Sequence, residues 1–367
     1  MKPWTQIPLG ELCEVTAGGT PSRAVASNFG GDIPWVKIGD MVQGRVVTTE
    51  ERLSRSGLET SAAKILPAGT VLMSIFATIG RTAVLCVDAA TNQAIVGITP
   101  RNADVLRPEY LRRFLDSQAS SLERRARGVA QVNINSSLLK AVPVPLPPLP
   151  EQRRIAEILD KADALRVKRG AALAELDTLT QSIFLDMFGD PATNPKGWPV
   201  RTFDETMRDE TSRAEKLQRS DYLPEGRYPV VDQGQSVIAG YCDDDRYLCP
   251  SELPVVVFGD HTRAVKLVRH RFVVGADGAK VLAPEPGVDV VFLSYLMREL
   301  PIPDLGYSRH MREVKRLAFP IPPIARQQEF ARRVSGIEMH RESHDRSRLA
   351  LDSFFASLQH RAFRGEL

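Results

Sequence analysis

One set of residues in the C-terminal half has the spacing of a metal-dependent nuclease. Asp304 follows Pro303, and Glu313 and Lys315 come later in the same segment, which matches the pattern Pro-Asp…Glu-X-Lys. Two carboxylates can hold a divalent cation while a lysine helps to activate water. This spacing arises often by chance, and Glu313 is predicted to lie in a helix. Nuclease chemistry is therefore an alternative and not the preferred interpretation.

The other reactive side chains form no recognisable catalytic or metal site in the sequence. Four cysteines are scattered without ligand spacing, so we expect reduced thiols. Histidines 270, 340, 344 and 360 have no metal-ligating partner at ligand spacing and are expected on solvated or helical faces. The sequence contains no S-adenosylmethionine loop, no (Asn/Asp)-Pro-Pro-(Tyr/Phe) motif and no Walker A loop. We therefore expect no catalytic centre, no metal and no cofactor bound by this chain.

The bulk composition limits the domain count and the possible partners. A chain of 367 residues is long enough for two domains of ordinary size. The 48 basic and 45 acidic residues leave a net charge of +3, too small to establish nucleic-acid binding by itself. Any DNA-binding surface must concentrate its basic groups on one face. The sequence has no signal peptide pattern and no apolar run of membrane-spanning length, so we expect a cytoplasmic protein with no membrane partner.

The strongest signal is an internal repeat. The segment Val144-Pro-Leu-Pro-Pro-Leu-Pro-Glu-Gln-Arg-Arg-Ile-Ala156 resembles Phe319-Pro-Ile-Pro-Pro-Ile-Ala-Arg-Gln-Gln-Glu-Phe-Ala331. The same offset of 175 residues places Pro145 on Pro320, Gln152 on Gln327, Leu176 on Leu351, Ser182 on Ser357 and Phe188 on Phe363. A register kept without a gap over this distance indicates one structural plan used twice.

Each copy begins with a proline-rich strap and continues as a long helix. Proline cannot join a helix interior or a central strand, so the straps are extended. No proline interrupts residues 151–188, and apolar residues there recur every seven positions. The first helix has rows at Ile155, Ala162, Leu176, Ile183 and at Ile158, Leu165, Ala172, Leu179; the second has Phe330, Ile337, Leu351, Leu358, flanked by Val334 and Phe354. Such stripes predict two long helices packed antiparallel on each other. The alternative is that each helix lies on its own domain.

The remaining segments show short apolar runs broken by Gly, Pro, Asn and Asp, which predicts strands. The strands are expected at 33–38, 69–75, 82–87, 254–258 and 264–268, with short helices at 108–122 and 291–298. The pattern is weakest at 190–227, which is polar. The predicted fold class is α+β, with two α/β domains separated by two long antiparallel helices in a pseudo-twofold tandem repeat. The predicted boundaries are 1–143 and 190–318 for the globular domains, and 144–189 and 319–367 for the straps with their helices.

The chain resembles the specificity subunits of type I restriction–modification systems through a set of short phrases. In the first half these include Gly18-Gly-Thr-Pro-Ser22, Gly31-Asp-Ile-Pro-Trp-Val36, Leu66-Pro-Ala-Gly-Thr-Val-Leu72, Thr91-Asn-Gln93 and the strap itself. The second half has Tyr228-Pro-Val-Val-Asp-Gln-Gly-Gln235, Gly278-Ala-Lys-Val-Leu282 and Phe363-Arg-Gly-Glu-Leu367. The combination covers nearly the whole chain and is far more specific than any single phrase.

The resemblance implies a recognition protein without catalytic activity of its own. Two target-recognition domains would each read one half of a bipartite site in double-stranded DNA, and the long helices would form a spacer. Two methyltransferase subunits would dock on the spacer to make an adenine-N6 methyltransferase, and motor–nuclease subunits would join for restriction. S-adenosylmethionine, ATP and Mg²⁺ would then be bound by these partners.

Candidate DNA contacts follow from residue type and predicted loop position. Guanine is read by Arg or Lys and adenine by Asn or Gln, and the phosphates attract basic side chains. The candidates in the first half are Lys37, Thr78, Arg81, Asn92, Gln93, Arg124, Arg125, Arg127, Gln131 and Asn133; those in the second are Gln233, Gln235, His261, Arg263, Lys280, Tyr307, Arg309 and His310. Asn92 and Gln93 belong to the shared phrases, so a role in the fold or in holding phosphate competes with base recognition. The arginines at 124, 125 and 127 suit phosphate contact, and a solvated helix end is their alternative.

A stand-alone DNA-binding regulator is the second functional hypothesis. Such a protein needs no docking surface for other subunits, so its heptad face would be covered by the chain itself.

Overall fold

We describe the fold from a computed structural model of the chain. The structure describes residues 4–42, 44–76, 78–127, 134–306 and 308–367, leaving aside the side chains of Ala126, Arg127 and Asp177. The chain divides into two units, one formed by Met1–Gly170 with Ser347–Leu367 and the other by Ala171–Arg346. Within the described ranges, no helix has both the length and the apolar character needed to cross a bilayer.

The first unit is built from short strands, short helices and one long helix that continues beyond residue 170. Its elements are β1 (Gln6–Pro8), α1 (Leu9–Leu12), β2 (Cys13–Ala17), β3 (Phe29–Val36), β4 (Arg45–Val46), β5 (Glu51–Leu53), α2 (Arg55–Glu59), β6 (Val71–Ser74), β7 (Thr82–Leu85), β8 (Ala90–Thr91), β9 (Ile95–Pro100), α3 (Pro108–Arg127), α4 (Ser136–Lys140), β10 (Pro143–Pro145) and α5 (Leu149–Phe188).

The core of the first unit lies between a sheet and helix α3. The sheet has the strand order β2-β9-β6-β7-β4, and its central strand β6 is buried at every position. This is the burial that a continuous apolar run such as Val71-Leu-Met73 predicts for a strand covered on each face. Helix α3 buries Tyr110, Leu111 and Phe114, which recur at helical spacing and cover one face of the sheet.

The second unit contains β11 (Val200–Arg201), α6 (Phe203–Thr206), β12 (Met207–Asp209), β13 (Lys216–Leu217), β14 (Tyr228–Val231), β15 (Gly240–Cys242), β16 (Val255–Gly259), β17 (Val265–Val268), β18 (Val273–Gly275), β19 (Ala279–Pro284), α7 (Val290–Glu299), α8 (Met311–Val314), β20 (Phe319–Pro320) and α9 (Ile324–Ala362). The C-terminal part of α9 belongs to the first unit. The segment 190–227, weakly patterned in sequence, supplies β11, α6, β12 and β13.

The second unit repeats the plan of the first element by element. Its main sheet has the order β12-β19-β16-β17, which corresponds to β2-β9-β6-β7. Strand β20 pairs with β11 as β10 pairs with β1, antiparallel in each case. Helices α6, α7, α8 and α9 follow in the same order as α1, α3, α4 and α5. The tandem repeat is thus present in the topology as well as in the sequence.

The two units differ in their smaller sheets. In the first unit β3 pairs antiparallel with β5 and parallel with β8. In the second unit the order is β13-β18-β14-β15, with β18 parallel to each of its neighbours. These sheets come from the segments in which the two sequences have least in common.

A buried glutamine joins each proline strap to its globular part. Gln152 accepts a hydrogen bond from the Arg107 backbone N–H at 2.9 Å and donates to the carbonyls of Val105 and Pro147 at 2.8 and 2.9 Å. Gln327 repeats this with the Asp289 N–H at 2.8 Å and the carbonyls of Gly287 and Pro322. Both glutamines are fully buried. One amide side chain therefore satisfies three backbone groups that would otherwise be unpaired in the interior.

The long helices confirm the predicted fold class. Helix α5 begins at Leu149, two residues before the predicted start, because a proline such as Pro150 is tolerated in the first turn. In the first unit Arg154 contacts the Leu367 carbonyl and Arg166 contacts Asp352, so α5 and α9 run in opposite directions there. Each helix also packs on a globular part, so the two arrangements weighed from the sequence occur together.

The buried stripe of α9 differs by one residue from the prediction. Phe355 is buried, whereas Phe354 is 56% exposed. The stripe runs through Phe355, Leu358 and Ala362. In a helix the positions three and four residues after Leu351 both adjoin Leu351, so the heptad pattern could not decide between Phe354 and Phe355.

On α5, Leu165 and Leu179, predicted in a packed row, are 55% and 48% exposed.

Replacing Gln327 by Leu should destabilise the protein by about 2–4 kcal/mol, because three buried backbone groups lose their partner. The neighbouring Gln328 is exposed, so Gln328→Leu is the matched control and should change stability by less than about 0.5 kcal/mol. Urea denaturation followed by circular dichroism measures both. Equal effects of the two substitutions would contradict the role given to Gln327.

Candidate nucleic-acid interface

In the first unit the candidate residues gather where β3 ends. Strands β3 and β8 are parallel neighbours, so Lys37 and Asn92, which follow them, lie at the same edge. The backbone N–H of Asn92 donates to the carbonyl of Val36 at 3.0 Å. Arg81 reaches the same place from the β6–β7 loop and donates to the carbonyl of Ile38 at 3.3 Å. The structure therefore brings Lys37, Arg81 and Asn92 together.

The Lys37 ammonium is held by acidic neighbours that the sequence did not single out. Its Nζ lies 2.6 Å from Glu50 and 2.8 Å from Glu51. These hydrogen bonds raise the pKa of Lys37, and those from Arg23 and Lys37 lower the pKa of Glu51. Arg23 also lies over the rings of Phe29 and Trp35. A phosphate that binds Lys37 must therefore compete with two carboxylates.

Asn92 and Gln93 use their side chains within the loop. The Asn92 side-chain oxygen accepts from the Ala94 N–H at 3.1 Å, and the Gln93 side-chain oxygen accepts from the Thr20 hydroxyl. A Cβ on Gly18 would stand 2.0 Å from the Asn92 carbonyl oxygen, so only glycine fits there. These contacts favour a role in the fold for the shared Thr-Asn-Gln phrase.

The β6–β7 loop rests on helix α3, which carries further basic residues. Gly80 has a φ of +86°, and a Cβ on it would lie 2.6 Å from the Cβ of Ala119. Arg124 and Arg125 are exposed on the same helix about 8 Å further along its axis. The helix ends at Arg127, beyond the predicted end at residue 122. The candidates Gln131 and Asn133 and the side chain of Arg127 lie outside the described residues.

Thr78 is exposed in this loop, and so is an aromatic residue that the sequence analysis missed. Phe76 is 38% exposed, close in sequence to Thr78 and Arg81. An aromatic residue in a strand-end loop looks like a core residue in sequence, so no sequence signal distinguished it.

In the second unit the candidates come from three loops that touch one another. The Gln233 carbonyl accepts from the Thr262 hydroxyl, and its side-chain oxygen accepts from the His261 N–H at 3.3 Å. Gln235 donates to the Thr262 carbonyl at 3.4 Å. A Cβ on Gly278 would lie 2.4 Å from the Gln233 side-chain oxygen, which brings the β18–β19 turn into the same cluster.

Lysines lie beneath and beside this cluster. Lys266 is buried and donates to the Asp232 carbonyl at 2.7 Å, which anchors the loop that carries Gln233 and Gln235. Burial lowers the pKa of Lys266. Lys280 lies on β19 opposite Phe258 and is half-buried. Burial lowers the pKa of Lys216, and the charge of Lys280 lowers it further.

Arg263 occupies an unusual backbone position in this cluster. Its φ of +58° is uncommon for a non-glycine residue and costs about 1 kcal/mol. Its guanidinium is 2.7 Å from the Asp304 carboxylate and 3.2 Å from the Ile302 carbonyl. Strained backbone of this kind is concentrated at functional sites, which supports Arg263 as a candidate contact.

The ring of His310 is buried beneath the exposed residues of this interface. Its ring is 1% exposed. Nδ1 lies 2.7 Å from the Asp260 carbonyl and Nε2 lies 3.3 Å from the Leu305 N–H, so both ring nitrogens have a backbone partner. These contacts give His310 a structural role in this conformation, and its contact with DNA stays a prediction. Arg309 is exposed next to it, and Tyr307 lies outside the described residues.

The nuclease pattern does not form a site in the described part of the chain. Asp304 is bound to Arg263, whereas Glu313 is bound to Arg316 at 3.0 Å. The ammonium of Lys315 lies 5.4 Å from the centre of the Phe203 ring. Among the residues described, no three His, Cys, Asp or Glu side chains converge so that they could hold a metal ion. The three residues thus have separate structural partners.

Comparison with protein families finds a match in the first half of the chain. Residues 1–176 match the family described as the type I restriction modification DNA specificity domain. These residues belong to that family. The resemblance inferred from the sequence phrases is confirmed.

Curated relatives carry the same description. The MjaIX specificity subunit of Methanocaldococcus jannaschii is 27% identical over 261 residues, which are 66% of this chain and 60% of that protein. The EcoR124I/EcoR124II specificity subunit of Escherichia coli is 30% identical over 164 residues, 43% of this chain and 40% of its own length. The aligned region thus spans less than two thirds of each specificity-family relative.

Solved structures of the specificity family share the fold over the whole chain. The type I restriction–modification S subunit from M. genitalium matches with a TM-score of 0.60 at 15% identity, over 99% of each chain. A chain from work on complex assembly and conformational transition of the type I system matches with a TM-score of 0.56 at 18% identity, over 100% of this chain and 99% of the other. At such identities the likeness concerns the fold.

The substitution His310→Leu should open the segment 301–306, because the Leu305 N–H loses its acceptor and the Asp260 carbonyl keeps only its bond from the His310 backbone N–H. Trypsin should then cut after Arg309 about tenfold faster, as measured by mass spectrometry of timed digests. His270 is exposed, so His270→Leu serves as the control and should leave cleavage unchanged. An unaltered rate in the His310 variant would show that this ring does not hold the segment.

Proposed function

We propose that this chain is the DNA-reading subunit of a type I restriction–modification complex and that each globular part reads one half of a bipartite site. In this proposal residues 1–143 and 190–318 are the two recognition domains. Residues 144–189 and 319–367 form the straps and the spacer helices. The chain itself catalyses no reaction.

The observation that carries the proposal is a repeated scaffold with unlike loops. The main sheet, the strap, the buried glutamine and the long helix recur in both units. The smaller sheets and the loops that gather the candidate residues differ between the units. A tandem repeat lets one chain present two recognition surfaces to a duplex, as a symmetric dimer does. Because the surfaces differ, we expect two unrelated half-sites.

The chemistry of the gathered side chains supports DNA as the ligand. The first unit offers Arg81 with Arg124 and Arg125, and the second offers Gln233, Gln235 and Arg263. Arginine and glutamine are the side chains that read guanine and adenine edges in the major groove, and basic helix ends bind phosphate. The net charge of +3 is small, so local clustering has to supply the electrostatic attraction.

The spacer helices support the proposed partner subunits. In the first unit Leu165, Val167, Leu349 and Phe354 are each more than half exposed on α5 and α9. Exposed apolar side chains on a helix pair are suited to bury against another protein. We propose two methyltransferase subunits there, which would methylate adenine N6 with S-adenosylmethionine, and motor–nuclease subunits that use ATP and Mg²⁺. Failure to co-purify with a co-expressed methyltransferase subunit would contradict this part.

Arg81→Ala and Arg263→Ala should each relax recognition of a different half-site, by about 1–3 kcal/mol of discrimination. The assay measures methylation by the purified complex on two series of duplexes, each varied in one half-site. Arg326 is exposed and paired with Glu329 on its own helix, so Arg326→Ala is the control and should change neither series. Relaxation of the same half-site by both test substitutions would contradict the proposal.

A further inference from the structure

Two buried arginines join helix α3 to helix α5 in the first unit. Arg112 and Arg113 are 8% and 5% exposed. Each places a nitrogen on the same oxygen of Asp160, at 2.7 and 2.6 Å, and Arg113 also binds Asp163 at 2.9 Å. Burial lowers the pKa of Arg112, and the charge of Arg113 lowers it further. We call these four residues the ionic joint.

The second unit makes the equivalent joint without the two buried arginines. The buried glutamines fix the correspondence, since Gln152 binds Arg107 and Val105, whereas Gln327 binds Asp289 and Gly287, each 182 residues later. At that offset Arg112 and Arg113 correspond to Ser294 and Tyr295. Ser294 is buried and donates within its own helix at 2.7 Å, and the Tyr295 ring packs edge-to-face on Phe330 at 5.2 Å.

Stability alone does not account for the ionic joint. The desolvation penalty of a buried ion pair is often as large as the gain from the attraction between its charges. Proteins in which apolar residues replace such a pair are often equally stable or more stable. The second unit shows that this fold closes the same junction with an aromatic pair. A guanidinium that binds two carboxylates fixes their orientation, because its planar set of N–H groups donates hydrogen bonds at fixed angles. The arginines therefore define an angle between α3 and α5.

The ionic joint is bordered by space that water can enter and by a candidate DNA-contacting loop. Cavities of about 700 and 340 Å³ are each lined in part by Arg112, Arg113 and Asp163. Arg81 and Thr82 line the larger one. The Thr82 hydroxyl donates to Asp116, which also pairs with Arg112 at 3.3 Å. A short chain of polar contacts thus connects the first residue of β7, next to Arg81, to helix α5.

We propose that the ionic joint sets the angle of the first recognition domain on its spacer helix and thereby the half-site spacing that the protein accepts. This inference rests on the proposed function. One added base pair moves a half-site by about 3.4 Å and turns it by about 35°. An aromatic joint resists such a change because a tilt would open a cavity in close packing. At the ionic joint the Asp160 side chain is 47% exposed, so its hydrogen bonds, and not close packing, decide whether the first recognition domain can tilt on its spacer helix.

The test compares spacing selectivity in the complex purified with its methyltransferase subunit. Sequencing of methylated DNA first maps the two half-sites of the wild type. Three duplexes then carry the two half-sites, one at the natural separation, one with a base pair fewer between them and one with a base pair more. The initial methylation rate is measured on each duplex. In the double variant Asp160→Asn/Asp163→Asn the rate on altered spacings, relative to the natural one, should rise about tenfold. Glu329→Gln, which removes a carboxylate paired within α9 alone, should leave the ratio unchanged.

Further variants separate positioning from stability. Asp160→Glu keeps the charge and should retain most of the wild-type ratio. Arg113→Lys keeps the charge but loses the fork, so it should broaden the accepted spacing even if the double variant is insoluble. For the wild type, the methylation rate on altered spacings relative to the natural one should also rise with salt concentration, because salt screens the charge of the partly exposed Asp160. A double variant that slows methylation equally on all spacings would overturn the proposal. A wild type that methylates none of the duplexes would contradict the proposed function itself.

Discussion

The hydrogen bonds of the buried glutamines Gln152 and Gln327 are the constraint from which the rest of the architecture follows. A proline strap brings carbonyl groups into the interior but few N–H groups, so beyond the short pairings of β10 with β1 and of β20 with β11 its carbonyls need other donors. A primary amide has donors and an acceptor on one side chain and satisfies strap and globular part together. Since the glutamine stands in the first turns of a long helix, the same bonds fix where the helix leaves the domain.

This constraint explains why the two copies of the repeat agree in the strap and the helix start but differ in their smaller sheets. The strap, the glutamine and the first helical turns must keep their spacing, because each carbonyl has one partner within reach. The β3–β5–β8 sheet and the β13–β18–β14–β15 sheet are not tied to the strap, and there the units differ. A domain can therefore change the surface proposed to meet DNA while its junction with the helix stays the same.

Sequence reasoning succeeded where the determinants are local. The straps, the start of α5 near residue 150 and the helices α3 and α7 follow from proline positions and apolar spacing over a few turns. It failed where pairing is distant: β13 has two residues and pairs with β18, which lies more than fifty residues later. It also could not place His310, because an imidazole suits a DNA contact and a buried two-sided hydrogen bond equally well. The ion pairs made by Glu50, Glu51 and Asp304 could not be predicted either, because ion pairs between loops leave no periodic pattern in the sequence.

We propose that one chain holds two unlike DNA-recognition domains on a common scaffold. The most direct measurement exchanges residues 190–318 for the corresponding segment of a specificity subunit with a different target. Sequencing of DNA methylated by the resulting complex then gives the recognised sequence. One half-site should change to that of the donor, while the other half-site should stay as in the wild type. A change in both half-sites, or in neither, would contradict it.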